Sequence, residues 1–308
     1  MNTSSFFIKN RALFGSYPTQ ETVDELEEIG VRYFVDLTYK GEKKITEYTT
    51  KYNYIRYPIP DRKIPEDWKT FTEFILKLSS TIRHLKSKDD DKHELLYLHC
   101  KGGHGRSGVV VACLLCYMGN YFPEKALELT SHYHSKRKNM REIWRTMGAP
   151  QNHVQKNFVY RFFEPIYFFK AYKSGYTMGM SNFSVHPVKT ELGTFPTSEA
   201  AFQAYKDPYN RGYVNQQIES KSPAYSKQIG MKCNLRGDWH TIRDHVMNKV
   251  VRLKFEQNED IRINLMRTCI RPIIEKPIRD KTNNNQNKLG EILMKVRKEM
   301  ILRNIDTG

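Results

Sequence analysis

The sequence has no long hydrophobic run. Its longest wholly apolar stretch, Val109 to Met118, is about half of the roughly 20 residues a membrane-spanning helix needs, so no membrane span is expected. Met1 to Lys9 offers neither a basic leader nor an apolar core, and a secretory signal is not expected. Cysteine is scarce and odd in number, five in 308 residues. That excludes a fully paired disulfide framework and suits a reducing, cytoplasmic compartment. Cys113 and Cys116 form a Cys-x2-Cys inside the apolar run, with no second pair at zinc spacing, so they are assigned to core packing and no metal site is expected. Zinc-finger spacing, an RNA-recognition aromatic motif and internal repeats are absent. The one low-complexity stretch, Asn283 to Asn287, reads as a loop.

Acidic side chains are also in short supply: 34 against 50 lysines and arginines, for a formal charge of +16. Residues 1–172 hold 27 basic and 20 acidic groups, leaving 23 and 14 for residues 173–308. A surplus spread over both halves favours phosphorylated or nucleic-acid ligands and speeds their encounter; it is equally what a basic, soluble surface looks like. The cluster Lys136-Arg137-Lys138 reads as an exposed helix end. The length suggests two domains. A polar, glycine-bearing segment near residues 170–179 marks the break, giving domains at 1–172 and 173–308.

Upstream of the break, patterns alternate: a helix over 22–29, strands over 31–37 and 52–57, an amphipathic helix over 66–85, a charged loop at 86–92, and helices over 123–135 and 151–163. This alternation predicts an α/β domain, a parallel-rich central sheet flanked by helices. After the strand-like Glu94 to Leu98 comes His99-Cys100-Lys101-Gly102-Gly103-His104-Gly105-Arg106-Ser107-Gly108, which runs into the apolar helix. Strand, glycine-rich turn and helix start make an anion cradle, with backbone N–H groups and the helix dipole turned toward the ligand. Cys100 is the candidate nucleophile, because a helix N-terminus beside cations favours the thiolate. Arg106 supplies a planar fork for two phosphate oxygens. Lys101, Gly102, Gly103, His104 and Gly105 form the phosphate-binding turn; its glycines allow close approach or positive φ, and Lys101 and His104 make it basic. Ser107 can donate to the sulfur and help it leave. The set predicts attack of a thiolate on phosphorus, with no cofactor expected.

At these residues, and over about residues 10–170, the sequence resembles the cysteine-dependent tyrosine and dual-specificity protein phosphatases. The resemblance implies a phosphocysteine intermediate and an aspartic general acid on a separate loop. Asp61, in the proline-bounded stretch 57–65, is the assigned acid; Asp36 reads as a strand end with a turn role, and Asp67 as the first turn of the next helix. Gln155 matches a glutamine that in several of these phosphatases lies near the hydrolytic water, and a polar position on a core helix is its other reading. No stretch resembles the phosphotyrosine-recognition loop of receptor-type enzymes, which implies a shallower site. The implied partner is a phosphorylated protein. The basic loop leaves phosphoinositides and RNA 5′ phosphates open, and a non-catalytic reader of phosphorylated or ADP-ribosylated ligands is the alternative outside enzymes.

In the second half, Phe195-Pro196-Thr197-Ser198 opens a helix on which Glu199, Gln203 and Lys206, offset by four and seven, share one face. A solvated surface with a salt bridge is the plain reading. The ordered pieces Ser181-Asn182-Phe183, this helix, Trp239, Arg243, Met247, Lys254-Phe255, Asn258, Leu265 to Thr268, Glu275 and Asn287 to Arg297 together resemble the NADAR domain, the YbiA-like N-glycosidases linked to NAD and ADP-ribose. The resemblance covers about residues 179–303 and implies a mainly helical α+β domain that cleaves an N-glycosidic bond at a phosphorylated ribose and takes an ADP-ribose-like ligand. It makes Glu199 the carboxylate that stabilises the cationic anomeric carbon or acts as base. Lys206 becomes a phosphate binder or amine nucleophile, and Asn182, Arg243 and Asn287 become ligand contacts. The sequence departs from the family in lacking a Trp-Gly pair; Asp280-Lys281-Thr282-Asn283-Asn284 stands there, and a binding-only second domain is the alternative.

Overall fold

The computed structural model describes residues 2–43, 45–86, 93–169, 177–276 and 287–306. Its first unit, Met1–Glu164, is built on a five-stranded sheet. The strands are β1 (Ser4–Ile8), β2 (Ala12–Gly15), β3 (Val31–Asp36), β4 (Asn53–Arg56) and β5 (Leu95–His99), in the order β1-β2-β5-β3-β4. The β1/β2 edge hairpin is antiparallel, whereas β2 runs parallel to β5, and β3 parallel to β5 and β4. All five residues of β5 are buried, as expected for a central parallel strand covered on both faces. The loops leaving β2, β3, β4 and β5 therefore emerge at one carboxyl edge, where open α/β sheets bind ligands.

Among the described residues, six helices accompany this sheet: α1 (Gln20–Glu28), α2 (Trp68–His84), α3 (Gly105–Gly119), α4 (Pro123–Ser135), α5 (Glu142–Met147) and α6 (His153–Phe162). Thr19 caps α1 and Asp67 caps α2, each accepting from a backbone N–H three residues on. The apolar stripe of α2, Phe71, Phe74, Ile75, Leu78 and Ile82, is buried. Its aromatic end meets α6, with Phe71 5.4 Å from Phe158 and 5.1 Å from Phe162 between ring centroids. Cys113 and Cys116 lie buried inside α3. The hairpin β1/β2 and the short α5 have no counterpart among the sequence expectations. Ser4-Ser5 dilutes the apolar alternation of β1, and β2 is buried throughout, so it has no alternation to read.

The second unit is Pro165–Gly308. It contains β6 (Ile166–Phe168), β7 (Val188–Thr190), β8 (Gly193–Phe195), α7 (Ser198–Ala204), α8 (Arg211–Ile218), α9 (Pro223–Gly230), α10 (Trp239–Gln257), α11 (Glu259–Arg267), β9 (Ile273–Glu275) and α12 (Lys288–Asp306). β6 pairs with β9 in parallel, and β7 with β8 as a hairpin. Because Ile166 to Phe168 pair with Ile273 to Glu275, the chain joins this unit from Pro165. The boundary expected at 172/173 falls within residues 170–176, outside the described residues, as do 87–92 of the charged loop and 280–284 of the expected family departure; of the stretch 283–287 only Asn287 is described. Helix α10 contributes to two cores. Val251 and Phe255 pack with Phe168, Leu265 and Leu293, while Trp239, Val246 and Val250 pack with Phe195, Ala200 and Val214. No helix among the described residues is long and apolar enough to cross a membrane.

Phe71 is fully buried and joins α2 to α6. Phe71→Ala is expected to destabilise the first unit by about 3–5 kcal/mol through lost burial and an unfilled cavity. Urea unfolding followed in the full chain checks this; a midpoint unmoved from wild type would contradict the packing described.

Candidate active sites

Cys100 follows the last residue of β5, at the carboxyl edge of the sheet. Backbone hydrogen bonds bracket it: Leu37 N donates to His99 O (3.0 Å), and Tyr17 N to Lys101 O (3.0 Å). The loops after β3 and β2 thus fix the sulfur-bearing residue from both sides. No side chain caps the N-terminus of α3, so its first N–H groups stay available to an anion. Gly103 has φ +72°, and a Cβ there would stand 2.4 Å from Gly15 O; only glycine fits this turn.

Arg106, in the first turn of α3, is 2% exposed. Its Nη1 donates to Glu42 Oε1 and to the carbonyls of Ile59 (2.9 Å) and Leu37 (3.5 Å); its Nη2 donates to Glu42 Oε2 (3.0 Å) and to Asp61 Oδ1 (3.0 Å). The arginine therefore gathers the loop after β3 and the loop after β4 at the cysteine loop. Asp61 is brought to the site at a 57% exposed position, whereas Glu42 is 12% exposed. Burial would raise Glu42, but the hydrogen bond from Arg106 and the N–H of Tyr39 hold its carboxyl below the ordinary glutamate range. The sequence does not single out Glu42: a glutamate in a charged loop carries no local signal, and only the fold brings it to Arg106.

The competing aspartates have other work. Asp36 accepts from Thr38 N (2.8 Å) and from the Tyr54 hydroxyl (2.6 Å), and Asp67 accepts from Thr70 N (2.9 Å) as the cap of α2. Gln155 is buried near the start of α6. Its Nε2 donates to Lys63 O (3.1 Å), its Oε1 has no partner, and its amide lies against Gly105. Ser107 is buried and its hydroxyl is likewise unpartnered.

Two expectations about charge are corrected. His104 does not make the loop basic. Its Nδ1 lies 2.7 Å from His134 Nε2 and its ring stacks on Trp144 at 5.0 Å; burial, aided by Arg137, pushes it down to about 4, so it is neutral at physiological pH. Arg137 is not part of an exposed helix end but is 2% exposed, held by Phe14 O (3.1 Å) and lying 4.3 Å over the Phe14 ring. His99 is also neutral: burial pushes it down to about 4, and its Nε2 is hydrogen-bonded to the Tyr48 hydroxyl at 2.7 Å.

In the second unit a cavity of about 1010 Å³ is lined by Asn182, Phe183, Glu199, Phe202, Arg243 and Glu275, among others. Lys227, Lys249, Arg252, Lys288 and Lys295 add positive charge to its wall. Glu199 is 8% exposed; Gln203 Nε2 donates to its Oε1 (2.8 Å), an i,i+4 pair on α7. Asn182 braces the same wall: its O accepts from Glu199 N (3.0 Å), its Oδ1 from Ser198 (3.1 Å). Beneath it, Lys254 Nζ donates to Ser181 O (2.7 Å) and Ser184 Oγ (2.6 Å).

Lys206 and Asn287 are placed differently from expectation. Helix α7 ends at Ala204, so Lys206 lies just beyond it, where the charge of Glu199 still acts on it. Its Nζ donates to Gly230 O at 2.9 Å, and it is absent from the cavity lining. Asn287 is a backbone clamp, accepting from Glu275 N (3.0 Å) and donating to Ile273 O (2.7 Å), so its amide holds β9 rather than facing a ligand.

A parallel sheet that delivers a cysteine loop to a helix N-terminus, with a buried arginine tied to an aspartate, defines a phosphatase-like unit joined to a second, ligand-cavity unit. The chain belongs over residues 1–155 to the Swiss Army Knife protein DSP-PTPase phosphatase domain family, and over residues 167–301 to the NADAR domain family. Protein 067L of Invertebrate iridescent virus 3, which bears the name of a tyrosine phosphatase, is 42% identical over 164 residues, 53% of this chain and 66% of that protein. Protein 197R of Invertebrate iridescent virus 6, with the same kind of name, is 44% identical over 155 residues, 50% of this chain and 51% of that protein. The chain thus spans between half and two-thirds of these viral relatives. N-glycosidase YbiA of Shigella flexneri is 31% identical over 130 residues, 40% of this chain and 81% of that protein.

The Glu42–Arg106 pair has a pH signature. A carboxyl held below its ordinary value of 4.5 stabilises the fold above that value, and the gain is lost as pH falls through the depressed folded value. The stability difference between wild type and Glu42→Gln is expected to be constant near neutrality and to shrink on acidification below pH 4.5. Urea midpoints measured against pH test it; a difference independent of pH would exclude the ion pair.

Proposed function

We propose that the first unit is a cysteine-dependent phosphatase acting on phosphorylated protein. The observation that carries this reading is Arg106 at the start of α3, buried beside the cysteine loop and hydrogen-bonded to Asp61 at 3.0 Å. An incoming phosphate takes the Arg106 fork and the free N–H groups of α3. Cys100 sulfur attacks phosphorus while Asp61 gives a proton to the departing oxygen. In the second step, a water at Gln155 Oε1 attacks the phosphocysteine, the Asp61 carboxylate accepts its proton, and the Ser107 hydroxyl donates to the leaving sulfur. The names of the two viral relatives support phosphotyrosine as substrate, and the odd number of cysteines suits a reducing compartment.

Cys100→Ser is expected to abolish turnover of a generic aryl phosphate. Asp61→Ala should slow esters of poor leaving groups by about 10²–10⁴-fold, the usual scale of general acid catalysis, and esters of good leaving groups much less. Undiminished turnover in the serine variant, or equal slowing across leaving groups, contradicts the assignment. A panel of phosphotyrosine peptide, phosphoinositide and RNA 5′-triphosphate tests the substrate class.

For the second unit the reading is cleavage of an N-glycosidic bond at a phosphorylated ribose, supported by Glu199 on the wall of a cation-lined cavity and by the likeness to an N-glycosidase. Glu199 stabilises the anomeric carbon as it becomes cationic, and Arg243 and its lysine neighbours take the phosphates. Glu199→Gln is expected to remove base release from an ADP-ribose-type substrate, followed by chromatography, while leaving ligand binding within a few fold. Binding without release in the wild type would make the unit a reader.

A further inference from the structure

The reaction read for the second unit gives no part to Lys254, although Lys254-Phe255 is one of the ordered pieces that mark this half of the sequence. The lysine, on α10, is wholly buried. Among the described residues it has no carboxylate partner, and burial alone pushes the amine down to about 7. An apolar side chain would avoid that cost. What the amine supplies instead is two hydrogen bonds, to Ser181 O (2.7 Å) and Ser184 Oγ (2.6 Å). These two residues bound a turn that also closes on itself, through Ser184 N to Ser181 O (3.2 Å). Inside the turn stands Asn182, on the cavity wall. Its backbone O accepts from Glu199 N (3.0 Å) and its Oδ1 from the Ser198 hydroxyl (3.1 Å). Glu199 lies in the first turn of α7, where a backbone N–H has no acceptor within its own helix; Asn182 O takes that place. A second tie from the turn to α10, Asn182 Nδ2 to Met247 Sδ (3.1 Å), ends on a thioether, a weak acceptor.

We propose that Lys254 is a positioning residue of the second site: from the interior of α10 it anchors the 181–184 turn, and through Asn182 the turn fixes the backbone of Glu199 at the start of α7. The inference rests on the reading of Glu199 as the reactive carboxylate. It separates two kinds of cation in this unit. Arg243 and the lysines of the cavity wall meet the ligand, whereas Lys254 is absent from that wall and acts only through the turn. Gln203, bonded to the Glu199 carboxylate itself (2.8 Å), holds the side chain; the Lys254–Ser181–Asn182 path holds the main chain behind it.

The test is hydrogen exchange of the Glu199 N–H in the full chain, followed by nuclear magnetic resonance, in wild type and Lys254→Met. Methionine keeps the unbranched apolar stem and removes both donated bonds. Exchange at Glu199 should quicken about tenfold, the scale of one buried hydrogen bond, while the N–H of Val250, buried on the same helix, keeps its protection. In the same variant, base release from an ADP-ribose-type substrate should slow by about 10–100-fold, as for a displaced reacting group, with ADP-ribose binding held within a few fold. Unchanged exchange at Glu199, or equal quickening at Glu199 and Val250, overturns the proposal, since the latter reports a loosened core alone. If Lys254→Met does not fold, Ser184→Ala serves. It removes one of the two acceptors of the amine and lies outside the cavity lining. Quickening at Glu199 of about threefold is expected, and no change overturns the proposal. Exchange is read without turnover, so a wild-type chain that releases no base would defeat the glycosidase reading and leave the exchange result standing.

Discussion

Arg106 ties to the start of α3 two loops that already meet through the hydrogen bond from Ile59 N to Leu37 O (3.0 Å). The carbonyls of Leu37 and Ile59 and the carboxylates of Glu42 and Asp61 come from two connections far apart in sequence from α3. Each is drawn to one guanidinium that is itself almost wholly out of solvent. A buried cation without such partners is strongly destabilising, so that charge adds to the backbone hydrogen bonds that already hold the loops after β3 and β4. The parallel sheet makes this possible by sending both loops to the same edge as Cys100.

The two carboxylates on Arg106 are unequal, and the inequality matters for chemistry. Asp61 is more than half exposed and its pair with Arg106 is of the kind worth about 0–1 kcal/mol. Glu42 is nearly enclosed and accepts from both terminal nitrogens, Nη1 and Nη2, of the guanidinium. A phosphate approaching the fork therefore displaces Asp61 easily and Glu42 with difficulty. Under the proposed mechanism this is the required order: the displaced Asp61 is released next to the phosphate it is to protonate, while Glu42 keeps the arginine plane oriented.

Much of this arrangement is legible in the sequence wherever the signal is local. Cys100 to Ser107 is a contiguous loop between a strand and a helix, so its residue types and spacing carry the geometry with them. Asp61 is legible because proline fixes the loop around it. Glu42 is not, because nothing near it in sequence distinguishes it from other surface glutamates; its role exists only once Leu37 and Ile59 have been brought to α3. Lys206 fails for the opposite reason. Its spacing from Glu199 is right for a continuous helix, but α7 stops at Ala204, two residues short of Lys206, whose amine goes to Gly230 O. Asn287 has a side chain suited to a ligand, yet β9 lies within reach and its backbone groups claim the amide first.

The basic surplus of the chain is a poor guide to its chemistry, since most of those side chains are solvated and interchangeable. The informative cations are the buried ones, and they meet burial in different ways. Lys254 is held by a carbonyl and a hydroxyl, and burial pushes it down to about 7; an amine there relieves the cost by giving up its proton. A guanidinium has no such exit. Arg106 is answered by two carboxylates, and Arg137, pushed down by burial only to about 10, stays charged against the carbonyl and ring of Phe14. The Lys136-Arg137-Lys138 cluster, which as sequence looks like solvated charge, thus contains one residue buried against Phe14.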